Sequence, residues 1–239
     1  MKKTVLFSII MVLLSLLSGC LYPDNQRIEN QTAVKEYLTI VQNAVNQYHA
    51  DSGVLPIKNS EINTPIYEKY EVDFGKLGER YISTIPPNAY QKGGTNYYVL
   101  VNIEKQPEVK LMDLISFIRI GEIERLVKAY MSKHEDTPPA GERVAPHFYR
   151  LDFDKLGLEN EQIQSVYSSQ FLGLLVHDSG KVAMDYAPEI MKIITKRGIA
   201  SSLDESQDLR ALLVEQSYYV PASSFPYHWI NGEPIITEQ

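Results

Sequence analysis

The chain has 239 residues, 44% of them hydrophobic, and a formal net charge of -7. This composition is typical of a folded protein with a core and excludes a disordered stalk. An acidic chain without clustered Lys and Arg is a poor partner for nucleic acid, whose binding depends on basic groups that release counterions, so no nucleic-acid partner is expected.

The N-terminus has the order of charge and hydrophobicity of an export signal. Lys2 and Lys3 precede an apolar run from Val5 to Leu17, and small residues follow it. The run is shorter than the roughly 20 residues of a membrane-spanning helix, and a polar segment with Pro23 comes soon after it. The pattern therefore predicts a signal peptide rather than a transmembrane helix.

Cys20 is the only cysteine and ends the run Leu-Ser-Gly-Cys. This run resembles the lipobox of bacterial lipoproteins, in which the cysteine thiol receives a diacylglycerol and the preceding peptide bond is cut. The resemblance implies lipidation at Cys20 and a lipid anchor on the extracytoplasmic face of the cell membrane. Removing residues 1–19 takes away two lysines and no acids, so the charge moves from -7 to about -9. A lipidated Cys20 would leave no thiol for a disulfide or a cysteine-rich metal site.

A six-residue motif occurs twice, as Asp-Phe-Gly-Lys-Leu-Gly at 73–78 and as Asp-Phe-Asp-Lys-Leu-Gly at 152–157. Apolar residues at helical spacing precede each copy and predict an amphipathic helix. Gly53 and Pro56 end the first helix, and Pro138 and Pro139 end the second. The helical positions are Val34, Leu38, Val41, Val45 and Tyr48 in the first unit and Ile120, Ile123, Leu126, Val127 and Tyr130 in the second.

A β-hairpin is predicted after each copy of the motif, from aromatic and β-branched residues around a turn. The strands are 97–101 with 109–113, and 171–176 with 181–185. Because an isolated hairpin is marginally stable, we expect both hairpins to join one sheet.

The predicted fold class is therefore α+β, with two tandem helix–loop–β-hairpin repeats sharing an antiparallel sheet and with C-terminal helices; a mixed fold without duplication is the alternative. The predicted segments are a signal peptide (1–19), a tether (20–30), repeat 1 (31–117), repeat 2 (118–199) and a C-terminal helix with an aromatic tail (200–239).

The repeated motif has a functional and a structural interpretation. Asp73 and Asp152 could be ligands or acid/base groups. Alternatively, Phe and Leu anchor a loop in the core, Gly takes a positive φ and Asp caps a turn. We favour the structural interpretation, because the motif is repeated together with its surroundings.

Two His-x-Asp pairs, His49 with Asp51 and His134 with Asp136, could contribute to a metal site. Each could equally end a helix by complementing its dipole. The sequence contains no HExxH, no Gly-x-Ser-x-Gly elbow and no phosphate loop. It therefore predicts no catalytic, cofactor-binding or metal-binding residue, and no enzyme.

Aromatic residues cluster near the C-terminus, interleaved with two prolines. Such a cluster can form a protein interface or cover the protein's own core, and the sequence leaves both open. Its members are Tyr218, Tyr219, Phe225, Tyr227 and Trp229.

Two resemblances bear on function. Residues 44–56 resemble the helix end of type II pseudopilins, which suggests that the chain passes from helix to sheet through a similar local structure. The whole chain resembles uncharacterised lipoproteins of spore-forming Gram-positive bacteria, which implies an envelope role in spore formation. We expect a non-enzymatic envelope lipoprotein that binds or scaffolds, with an envelope protein as partner; the alternative is a solute-binding lipoprotein of a transporter.

Overall fold

A computed structural model of the chain describes residues 28–168 and 170–238. The predicted signal peptide, Cys20 and most of the tether lie outside these residues. Val34–Gln239 form a compact unit, and the described residues before Val34 belong to a second unit, Met1–Ala33, in which they are helical. Within the described ranges, no helix has the length and apolar character needed to cross a membrane.

Helix α1, Ile28–Ser52, is the first predicted helix. Leu38, Val41 and Val45 are buried, as their spacing along one helical face requires. The helix ends at Gly53, whose φ of 72° lies in the left-handed region that glycine adopts readily. The prediction of this helix and its end is confirmed.

Two short helices, α2 (Ile66–Lys69) and α3 (Phe74–Tyr81), follow α1. They precede the first predicted hairpin, formed by β1 (Asn96–Val101) and β2 (Glu108–Asp113). The two strands pair antiparallel in the register expected of a hairpin.

The second half starts with α4, Leu114–Met131. This helix ends before Pro138, where the sequence predicts its end, because Glu135 and Asp136 adopt positive φ in the turn that follows. Four strands then form an antiparallel sheet in the order β3-β4-β7-β8. They are β3 (Ala140–Ala145), β4 (Phe148–Leu151), β7 (Leu174–His177) and β8 (Val182–Met184).

The predicted strand 171–176 is divided at Gly173. Its first part, β6 (Phe171–Leu172), pairs with β5 (Ile163–Gln164), whereas β7 pairs with β4 and β8. The remaining elements are α5 (Ala187–Arg197), α6 (Arg210–Gln216), β9 (Tyr227–Ile230) and β10 (Glu233–Ile236). The α+β class, with its helices and hairpins, is confirmed.

The two predicted hairpins lie in separate sheets, so the expectation of a shared sheet is corrected. One reason is that the outer edge of β2 is occupied. The Val109 N–H donates to Oε1 of Gln42 on α1 at 2.7 Å, and the Leu111 N–H donates to the Tyr218 carbonyl at 2.8 Å. Backbone groups that are already bonded cannot pair with a further strand.

The outer edge of β8 is occupied in the same way. The Val182 N–H donates to Oε2 of Glu124 on α4 at 3.2 Å, and the Met184 N–H donates to the Ser223 carbonyl at 2.9 Å. A helix side chain and the C-terminal segment thus occupy the outer edges of both hairpins.

The aromatic C-terminal cluster packs within the protein's own core. Tyr227 is 1% exposed, and its hydroxyl accepts from the Tyr186 N–H at 3.0 Å. Phe225 meets Phe148 edge to face with ring centroids 4.9 Å apart, and Trp229 packs against the same core. Of the two interpretations of this cluster, the structure therefore favours the core.

Candidate functional site

The repeated motif makes closely similar contacts at its two occurrences. Asp73 caps α3 by accepting from the Gly75 N–H at 2.9 Å, and Asp152 accepts from the Lys155 N–H at 3.3 Å. The last glycine of each copy has positive φ, 52° at Gly78 and 67° at Gly157. Phe74 and Phe153 are 5% and 6% exposed.

The motif lysines reach back to the loop that follows each long helix. Lys76 Nζ donates to the Ile57 carbonyl at 2.6 Å, and Lys155 Nζ donates to the Ala140 carbonyl at 2.6 Å. One residue earlier, the carbonyls of Pro56 and Pro139 accept from the two motif Asp N–H groups at 2.8 and 2.9 Å. Through these contacts the Asp and Lys of each motif bind other parts of the same chain. This supports the structural interpretation. The duplication of the whole unit stays a prediction.

The His-x-Asp pairs do not converge. Asp51 accepts from Arg80 at 2.7 Å and from the Tyr81 hydroxyl at 3.1 Å. His134 lies 2.8 Å from the Tyr130 carbonyl and stacks on that tyrosine ring. Over residues 28–168 and 170–238, no three His, Cys, Asp or Glu side chains are grouped to hold a metal ion.

A cavity of about 370 Å³ is the candidate functional site. Its walls come from α2, from the end of β1 with the β1–β2 turn, and from α6. The volume lies within the range of small-molecule sites, which is about 300 to 1,000 Å³. Its lining combines apolar and polar residues: Ile66, Tyr67, Tyr70, Leu100, Val101, Ile103, Ala211 and Val214 are apolar or aromatic, and Asn102, Glu104, Lys105, Glu108 and Glu215 are polar or charged.

Tyr67 is the best-positioned polar group in the cavity. Among the residues described, its hydroxyl has no hydrogen-bond partner. Burial, and next the nearby Asp208 carboxylate, raise the pKa of Tyr67 to about 12. The phenol therefore stays neutral at physiological pH and is available to a ligand as a donor or acceptor.

Buried charged groups fix the position of Tyr67. The Arg210 guanidinium stacks over its ring at 5.0 Å, and Arg210 pairs with Asp208 at 2.7 Å. Arg210 also donates to the Ser224 carbonyl at 3.0 Å. These bonds hold the guanidinium against the face of the Tyr67 ring.

Glu68, the next residue of α2, ties this wall to the C-terminal segment. Its carboxylate accepts from the Ser223 N–H at 2.7 Å. Burial raises the pKa of Glu68 above its ordinary value, while the hydrogen bond from Ser223 opposes that shift. The cavity wall and the segment that caps β8 are thus joined directly.

No local sequence pattern predicts the cavity. The one local signal is the run Pro-Ile-Tyr-Glu-Lys-Tyr at 65–70, in which two tyrosines stand three residues apart and face one side of a helical turn. The residues of α6 that close the cavity lie more than a hundred positions later, so no local pattern connects the two walls.

Residues 34–113 are similar to the family described as the YphF family N-terminal domain. The match runs from α1 to the last residue of β2 and includes the α2 and hairpin walls of the cavity, whereas α6 lies outside it. No curated protein and no solved structure shows a significant match to the chain.

Proposed function

We propose that this protein is a non-enzymatic binding module of the cell envelope, held at the extracytoplasmic face of the membrane by a lipid on Cys20. The observation that carries the proposal is the cavity of about 370 Å³, which is lined in part by Tyr67, a residue whose hydroxyl has no hydrogen-bond partner among the described residues. Positioned polar groups in an apolar cavity are typical of ligand sites. The resemblance to lipoproteins of spore-forming bacteria adds a role in spore formation to the proposal.

The alternative is a solute-binding lipoprotein that serves a transporter. Such proteins usually have two lobes in which β-strands and α-helices alternate around a cleft. Among the described residues, the named strands pair only antiparallel, and every pair except β4 with β7 joins strands that follow one another in the chain. This architecture supports a binding or scaffolding module over a solute-binding protein. An envelope protein as its partner is a further part of the proposal.

Binding in the cavity can be tested with p-cresol, a small neutral phenol. We expect saturable binding to the full chain in phosphatidylcholine nanodiscs, measured by ligand-observed NMR with empty nanodiscs as the blank. Ala211→Phe should abolish binding, because the new ring fills the cavity next to α6. Ala129→Phe, at an exposed position on α4, is the matched control. Equal binding by both variants would place the phenol elsewhere and contradict the proposed site.

The anchor is tested by metabolic labelling with a fatty acid. We expect label in the wild type and none in Cys20→Ser, because the serine hydroxyl does not replace the thiol that receives the lipid. The variant should accumulate as an unprocessed precursor or as a released form. Equal labelling of the two proteins would overturn the lipid anchor and leave the cavity proposal standing.

A further inference from the structure

The cavity has more negative than positive groups in its lining. Among the described residues of the lining, Glu104, Glu108 and Glu215 carry carboxylates and Lys105 carries an ammonium group. In a partly enclosed site, like charges add up and the effective dielectric constant is below that of water. A carboxylate of the lining that has no partner therefore attracts a positively charged ligand.

The cations that pair with two of these carboxylates lie outside the lining. Lys110 Nζ is 2.7 Å from Glu108, and Arg197 is 3.0 Å from Glu215. The Lys110 ammonium also donates to the Ser217 carbonyl at 3.0 Å, so it is fixed beside the chain. Lys105, Lys110 and Arg197 thus equal the three carboxylates in number, so the attraction of a cation depends on a carboxylate that has no partner.

Glu104 is the carboxylate that remains available to a ligand. In the described part of the chain it has neither an ion pair nor a hydrogen bond, and it is exposed. Lys105 is also unpaired and exposed, but its ammonium is at the end of a flexible stem and can turn into solvent. An incoming ammonium can thus meet Glu104 without displacing an existing partner.

The apolar residues of the lining can contact an apolar body. Leu100, Val101 and Val214 are buried side chains, and Tyr67 and Tyr70 add aromatic surface. A tyrosine ring attracts a nearby cation through its negative face, and its hydroxyl can bond to a polar substituent.

From these charges and surfaces, and resting on the proposed function, we propose that the cavity selects a small organic amine with an aromatic or apolar body. Three probes test this selectivity, because they share a phenol ring and differ in charge: tyramine is a cation, p-cresol is neutral and para-hydroxyphenylacetate is an anion. In the same nanodiscs of full chain, tyramine should bind about three- to tenfold more tightly than p-cresol, and the anion more weakly than both.

The outcomes separate this inference from the proposed function. If p-cresol binds in the cavity and tyramine binds no more tightly, amine selectivity is wrong and the binding site stands. If none of the three probes binds, both proposals fail.

Charge variants identify the group responsible. Glu104→Gln keeps the shape of the side chain and should bring the ratio of tyramine affinity to p-cresol affinity close to one. Lys105→Gln should increase that ratio. Glu79 is an exposed acid on α3 outside the lining. Glu79→Gln is therefore the control for the effect of removing one negative charge from the protein surface. An equal effect of the Glu79 and Glu104 variants would overturn the assignment to the cavity.

Discussion

Deletion of residues 217–239 is expected to unfold the chain. The segment contributes Tyr227, Trp229 and Ile236 to the main core. Loss of several buried side chains at about 2 to 5 kcal/mol each exceeds the roughly 5 to 15 kcal/mol of stability of a typical domain.

The same deletion removes bonds that no other part of the chain replaces. Without it, the outer-edge N–H groups of Leu111 and Met184 lose the carbonyls of Tyr218 and Ser223. The Lys110 ammonium also loses the Ser217 carbonyl. Each unpaired buried backbone group costs about 1 to 3 kcal/mol.

Circular dichroism and denaturant titration of the chain without its first 20 residues would measure the effect of the deletion. We expect no cooperative transition in the shortened protein. Removal of residues 238–239 alone is the control and should keep the transition, because it costs mainly the contact between Glu238 and His177, which are 2.8 Å apart. If the denaturant midpoint after the full deletion equals that of the wild type, the tail is not part of the core and its interpretation as a partner interface is favoured instead.

Phe74→Ala and Phe153→Ala should each lower the free energy of unfolding by about 3 to 5 kcal/mol, the usual cost of removing a buried aromatic ring. Phe74 belongs to the core formed by α1 with β1 and β2, and Phe153 to the core of the four-stranded sheet. Because the two rings lie in different cores, we expect their effects to add in the double variant.

Two comparisons make this measurement specific. Phe171→Ala removes the same group from a position that is 59% exposed and should change stability by no more than about 0.5 kcal/mol. Lys76→Met and Lys155→Met should cost about 1 kcal/mol each, because each breaks one partly exposed hydrogen bond. If neither Phe variant lowers the denaturant midpoint, the motif does not anchor the core.

Local sequence patterns predicted the elements that have a regular apolar period. The stripe of Leu38, Val41 and Val45 indicated α1, and glycine in the left-handed region ended it as expected. The two hairpins and the buried Phe of the repeated motif also followed from local residues. In each case, the residues that form the sequence pattern also make the contacts that stabilise the predicted element.

The missed elements depend on distant residues. Strand β3 has mostly exposed positions, including Gly141, Glu142 and Arg143, so it lacks the alternation that marks a half-buried strand. The separation of the two sheets depends on Gln42 and Tyr218, which reach β2 from opposite ends of the chain. The cavity was missed for the same reason, since α2, the β1–β2 turn and α6 meet only in the folded protein.

The capped hairpin edges have a consequence for association between copies of the protein. An exposed strand edge is a template for pairing with another chain and a route to aggregation. Gln42 and Glu124, each directly after a buried helix residue, accept the N–H groups of Val109 and Val182 and so block that route at β2 and β8. A lipid-anchored protein would meet its own copies often in the plane of the membrane. The two side chains would keep such encounters from growing into a continuous intermolecular sheet along these edges.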